Sequence, residues 1–258
     1  MRNKIDRSGE ERLNNFGSKM IIKEYRGNKD IDIYFPEYDW VFKHARYDKF
    51  KTGKIKCPYE RRYYNKGYLG EGKYKMSENG KNSDGYVIWH HMLRRCYDPK
   101  YQEERPTYRG CTVEDYLLNF QHMHEWIDKN YYEVPGEQMC LDKDVLYKGN
   151  KIYSRKTCIF VPKRINNLFT KKDNDRGDCP IGVTPRASGN YQVFCSNGYG
   201  KLINLGTYTT KEEAFQIYKE YKEKVIKEVI DSYEGRIPEP FYSKLKTAMY
   251  NYEVEITD

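Results

Sequence analysis

The stretch that decides the fold reads Ile181-Gly-Val-Thr-Pro-Arg-Ala-Ser-Gly-Asn-Tyr-Gln-Val-Phe-Cys-Ser-Asn-Gly-Tyr-Gly-Lys-Leu-Ile-Asn-Leu-Gly206. Apolar and polar residues alternate in three short runs: Ile181–Pro185, Tyr191–Cys195 and Leu202–Leu205. A period of two is the mark of a half-buried strand. Ser188-Gly189 and Asn197-Gly198 separate the runs, and Asn-Gly is a strong hairpin signal. Thr210 follows, with Glu213 three residues on, the spacing of a capping box. Ala214, Phe215, Ile217, Tyr218, Tyr221, Val225 and Ile226 then repeat at helical spacing. The pattern predicts a three-stranded antiparallel sheet packed on one helix. Val183, Tyr191, Val193, Cys195, Ile203 and Leu205 face the helix. Thr184, Arg186, Gln192, Phe194, Ser196 and Asn204 face outward.

Upstream, residues 81–170 predict helices followed by strand, turn, strand and helix. Val87, Trp89 or His90, and Leu93 suit a helix over Tyr86–Tyr97, ended by Asp98-Pro99. Tyr116, Leu117, Phe120, Met123, His124 and Ile127 suit a second helix over Val113–Asn130, ended by Pro135-Gly136. A strand over Gln138–Tyr147, a turn at Lys148-Gly149-Asn150, a short strand and a helix including Pro162–Asn166 complete the segment. Residues 1–80 form a basic, β-rich module: strands at Lys19–Tyr25, Asp30–Phe35 and Lys54–Cys57, then a Tyr/Gly/Lys-rich loop or linker over 59–85. Lys171–Asp178 reads as a linker, and residues 180–258 carry the C-terminal sheet, helix and tail. The fold class is α+β in three modules.

Composition narrows the classes. The chain has 258 residues, 38% of them hydrophobic, but its 27 tyrosines restore core-forming surface and argue against disorder. No run approaches a membrane helix, and the charged Met1–Asn15 segment does not read as a secretory signal, so a cytoplasmic protein with no membrane partner is expected (host cytoplasm if phage-encoded). The seven cysteines are odd in number and include no CxxC pair, which predicts reduced thiols and no zinc site. Net charge is 46 − 38 = +8, and residues 1–79 alone carry 19 − 12 = +7. A one-sided basic excess suits a polyanion. Lysines alternate with aromatics near Lys51 and Lys54, a mixture suited to phosphate contact and stacking.

The C-terminal module resembles the APETALA/ethylene-response-factor type of DNA-binding domain of phage proteins and integrases. Ile181–Arg186, Gly189-Asn-Tyr191, Leu205–Thr210 and Glu212–Phe215 carry the likeness over about 50 residues. It implies double-stranded DNA as partner, with the outward face in the major groove. Arg186 matches a contact position, and Thr184, Gln192, Ser196 and Asn204 are candidate base or phosphate contacts. This face has fewer arginines than plant members carry.

The middle module resembles phage HNH-type endonucleases, on Leu141–Asp144, Gly149–Lys151, Tyr153-Ser154, Cys158–Pro162 and Arg164–Asn167. That likeness implies a metal-dependent phosphodiester hydrolase with Mg²⁺ or another divalent ion. Asn150 occupies the central Asn position and Asn166 the last. The general-base position falls at Asp142, Lys143 or Asp144, where no histidine stands. Asp142, Asp144 and Asn166 are the candidate metal ligands, and Asp142, Lys143 and Asn150 the candidate catalytic residues. The alternative is a DNA-binding regulator, or inhibitor of a host system, with a relict nuclease core. His90-His91 and His122/His124 lie on predicted helices, where such spacings do not share a face; one of each pair is expected to pack and the other to be exposed. The front module resembles short DNA-binding repeats that precede nuclease cores in phage proteins.

Overall fold

A computed structural model describes residues 5–170 and 178–256, so nearly all of the expected 171–178 linker lies outside the described residues. The chain is α+β. It divides into two compact units, residues 1–127 and 128–258.

In the first unit, β1 (Glu11–Leu13), β2 (Lys19–Gly27), β3 (Asp30–Phe35) and β4 (Trp40–Ala45) form an antiparallel sheet in chain order. Alternation drives it: Met20, Ile22, Ile31, Ile33 and Phe35 are buried together on one face. Helix α1 (Tyr47–Lys51) closes that core with Phe50. The expected strand at Lys54–Cys57 is absent. Its place in the sheet is taken by β4, while Ile55 and Cys57 drop into the core from an irregular segment.

Nor are residues 59–85 a linker. The segment is irregular apart from the two-residue strands β5 (Ser77–Glu78) and β6 (Lys81–Asn82), but it is packed. A Cβ at Gly67 would collide with Leu93 and Trp89, and one at Gly70 with Asn119. Helix α2 (Asp84–Tyr97) is capped by Ser83, whose Oγ accepts from Tyr86 N at 3.3 Å. Asp98 caps the short α3 (Pro99–Glu104). The strand β7 (Thr112–Val113) and helix α4 (Asp115–Leu118) precede α5 (Phe120–Asn130). The single helix expected over 113–130 is thus broken at Asn119. That residue is extended, pairs with Tyr68 in a parallel bridge, and accepts Gln121 N on its own Oδ1 at 2.9 Å.

In the second unit, β8 (Met139–Asp142) pairs antiparallel with β10 (Ile159–Pro162), with β9 (Ile152–Tyr153) in the loop between them and α6 (Lys163–Leu168) directly after. This is the strand–turn–strand–helix order expected, although β8 ends five residues earlier than predicted. The antiparallel sheet β11 (Val183–Pro185), β12 (Tyr191–Ser196), β13 (Leu202–Tyr208) covers the first half of α7 (Lys211–Asp231). Val183, Val193, Cys195, Ala214 and Tyr218 are buried between sheet and helix. Thr210 Oγ1 accepts from Glu213 N at 3.2 Å, making the predicted cap. The second half of α7 buries Val225, Ile226, Val229 and Ile230, and packs against α6 and α8 (Phe241–Tyr250).

Candidate nucleic-acid interface and hairpin site

The outward face of the β11–β12–β13 sheet is set by register. Thr184 pairs with Gln192, and Gln192 with Thr207, giving one polar row across three strands. Phe194 pairs with Asn204, and Ser196 with Leu202. Thr184, Arg186, Asn204 and Thr207 are exposed, and Ser196 is half-buried. Gln192 departs from the expected exposure. As the central-strand member of its row it is 9% exposed, and its amide Oε1 has no hydrogen-bond partner. A buried, unsatisfied amide oxygen costs about 1–3 kcal/mol.

A β-bulge opposite Val193/Phe194 shifts the pairing on β13, so Leu205 and Gly206 together face that step. Leu205 packs on the core as expected, but the bulge turns Thr207 outward and Tyr208 inward. Strict alternation does not place Thr207 on this face. Gly206 inside a strand run was the available signal, since glycine there often marks a bulge.

At the hairpin, Asp142 Oδ1 accepts from Asp144 N at 2.9 Å and Val145 N at 2.7 Å. Burial, and after it the charge of Asp144, pushes the Asp142 carboxyl above its usual range. Lys143 is buried, with Nζ 3.1 Å from Asp144 Oδ2 and 5.9 Å from the Tyr153 ring centre. Asn150 Nδ2 donates to Lys143 O at 2.7 Å and Ile152 O at 2.8 Å, and its Oδ1 accepts from Ile152 N at 3.3 Å. Asn150 therefore sews the loop shut through the backbone rather than aiming at a reacting side chain. Asn166 sits half-buried on α6, and its side chain hydrogen-bonds neither carboxylate among the described residues. The oxygen donors suit a hard cation in kind. They do not fit as a ready site, because the Lys143 ammonium already neutralises Asp144 and Asn166 is not joined to the pair. Cys158 beside the hairpin is buried, which pushes its thiol up to about 12.

Lys51 and Lys54 are exposed in the first unit, Lys51 at the end of α1 and Lys54 just beyond the Gly53 turn. The histidines follow the expectation in part. His90 is half-buried against Tyr64 and Tyr86, and His91 is exposed. His122 and His124 both pack, stacked on Tyr116 at 4.3 Å and on Tyr74 at 4.0 Å. Asp30, Asp32 and His44 also converge, with ligand-type atoms within 4.8 Å of one another. Arg26 already fills that cluster, with Nε 2.8 Å from Asp30 Oδ2 and Nη2 2.5 Å from Asp32 Oδ1. All seven cysteines are free thiols. Among the described residues, no helix is long and apolar enough to cross a membrane.

No family model matches the chain, and neither does any curated protein or solved structure.

Proposed function

We propose that this chain is a double-stranded-DNA-binding protein that lays the outward face of the β11–β12–β13 sheet in the major groove, which is wide enough for a β-ribbon. The observation that carries the reading is the polar row Thr184–Gln192–Thr207 across the three strands, with an exposed threonine on either side of Gln192. The exposed amide of this face, Asn204, has the chemistry to pair bidentately with the adenine N6/N7 edge, and such a contact discriminates by about 1–3 kcal/mol. Arg186, also exposed, is the phosphate contact. The test is selection of binding sites from a randomised duplex pool, followed by titration of Asn204→Ala. This change is expected to relax the preference at one base position by roughly 5- to 100-fold. A flat selection, with equal affinity for every duplex, would overturn sequence reading by this face.

A second reading keeps the hairpin as a phosphodiester-cleaving centre assisted by Mg²⁺ or another divalent ion. It is favoured by one feature: the Asp142 carboxyl is pushed up by burial and, after it, by the charge of Asp144, and a bound cation would offset both. Nicking of supercoiled plasmid with Mg²⁺ or Mn²⁺, compared with an EDTA control and Asp142→Asn, decides it. Metal-dependent nicking lost in the variant supports this reading. Protein that shifts duplex DNA without nicking it returns the hairpin to a scaffold.

A further inference from the structure

The second unit contains a cavity of about 770 Å³ that the sheet face and the carboxylate hairpin do not use. One wall is α8 and the residue that caps its C-terminus: Lys244, Thr247, Ala248 and Asn251 line it. These are spaced i, i+3, i+4 and i+7, one face of a helix. The opposite face of α8 buries Tyr242, Leu245 and Met249, so the helix is held by its apolar side and presents polar side chains to the cavity. Among the described residues, the Thr247 hydroxyl, the Asn251 amide and the Lys244 ammonium have no hydrogen-bond or ion-pair partner.

The loops on either side of β9 also line the cavity. Lys148, Arg155 and Lys156 line it there, and Tyr147 stands at the rim with 57% of its surface exposed. Four cations thus line the cavity against two carboxylates, Glu253 and Glu255. Lys148 and Arg155 are both already engaged; Lys148 Nζ lies 2.7 Å from Glu253 O and 3.4 Å from Glu255 Oε2, and 4.8 Å from the Tyr252 ring centre. Lys156, like Lys244, has no carboxylate within ion-pair distance among the described residues. The floor includes Val145, Cys158 and Ile159, all buried.

We infer that this cleft binds a phosphorylated nucleotide unit. Two ammonium groups without a carboxylate partner, Lys156 and Lys244, lining one cavity suit a phosphate. A row of unpartnered hydroxyl and amide groups suits the sugar and base edges. Exposed Tyr147 offers a stacking surface, and aromatic stacking with basic side chains is how single strands are held without strict sequence demand. The volume lies in the range of small-molecule sites. A strand passing through and a free nucleotide share this chemistry. The inference does not depend on the sheet reading, because no residue of β11, β12 or β13 lines the cleft.

The experiment uses the full chain at about 50 mM salt. Fluorescence anisotropy follows a labelled dT 12-mer, and calorimetry follows thymidine monophosphate. Lys156→Gln/Lys244→Gln alters two exposed side chains and leaves the packing intact. It is expected to weaken 12-mer binding at least 10-fold and to lower the slope of log K against log salt by about 1.4, since each single-strand phosphate contact contributes about 0.7. Ser243→Phe, an exposed cavity-lining change that adds bulk without charge, is expected to weaken binding similarly. Duplex affinity should stay within twofold in both variants, and Arg186→Gln should behave in reverse, so failure of the sheet reading is seen separately. Saturable monophosphate binding, lost in the double variant, upholds the cleft with a free nucleotide as its ligand. Binding of the 12-mer alone, lost in the same way, upholds it with a strand. Wild-type protein that binds neither, or variants that bind as wild type does, would overturn the inference.

Discussion

Asn150 illustrates how one side chain can be placed by sequence and yet act differently from its expected role. Its three hydrogen bonds all go to backbone groups of the hairpin, two accepted by carbonyls and one donated by an N–H. Net contributions near 1 kcal/mol per bond predict a loss of about 2–3 kcal/mol for Asn150→Ala, read as a lower urea midpoint. Asn150→Asp should be worse than alanine, because it sets a carboxylate against the Lys143 and Ile152 carbonyls. If alanine leaves the midpoint unchanged, the residue is free for chemistry after all. The Arg26 cluster gives a pH-dependent counterpart. Hydrogen bonds from Arg26 hold both Asp30 and Asp32 below the usual carboxylate range. Such groups bind fewer protons folded than unfolded, so their contribution is fully present above about pH 4 and is lost as pH falls through the lowered values. The gap in urea midpoint between wild type and Arg26→Met should therefore be widest at neutral pH and narrow progressively as pH falls below about 4. A gap independent of pH would mean that Arg26 acts by packing alone.

Among the elements, the C-terminal sheet and helix show what local signals can carry. Their strands, the Thr210 cap and the inward set are written in alternation and turn chemistry, and Gly182 shows how tightly that writing is enforced. Gly182 has a φ of +75°, and a Cβ there would fall inside the ring of Tyr218. Gly182→Ala combines left-handed strain with overpacking and is expected to cost about 3 kcal/mol. Gly189, at φ +84° with open space around it, should cost only the backbone part, about 1 kcal/mol, when changed to alanine. Equal losses at the two sites would place the whole cost in the backbone. Elsewhere the legible signal stops where a long-range partner decides. Leu117, Phe120 and Met123 keep helical spacing straight through Asn119, so the break is invisible locally. It arises because Tyr68 pairs with Asn119 and Gly70 leaves room for its side chain, in a segment nearly 50 positions earlier that read as a linker. The hairpin strands and the position of Asn150 could be read. The ammonium of Lys143 turning onto Asp144, and the three polar groups aligned on α8, could not, because both depend on which face the tertiary packing buries.

For the whole molecule, the governing quantity is the uneven charge. Of the net +8, residues 1–79 hold +7, whereas the sheet face proposed to read bases has few cations beyond Arg186. Affinity and selectivity for duplex DNA should then come from different parts of the chain, since phosphate contacts position and base contacts specify. Lys51 and Lys54 are exposed and lie close in sequence, so Lys51→Gln/Lys54→Gln tests the first role without disturbing the core. If both meet phosphates, the slope of log K against log salt should flatten by about 1.8, at about 0.9 per neutralised phosphate on duplex DNA, and every duplex should weaken by the same factor. Asn204→Ala should do the opposite, leaving the slope unchanged while narrowing the ratio between preferred and random duplexes. Titrations of both variants from 50 to 200 mM salt separate these effects. A slope untouched by the lysine pair would move the phosphate-contacting surface away from the front of the chain, and a preference altered by the lysines would show that the two roles are not divided as the charge distribution implies.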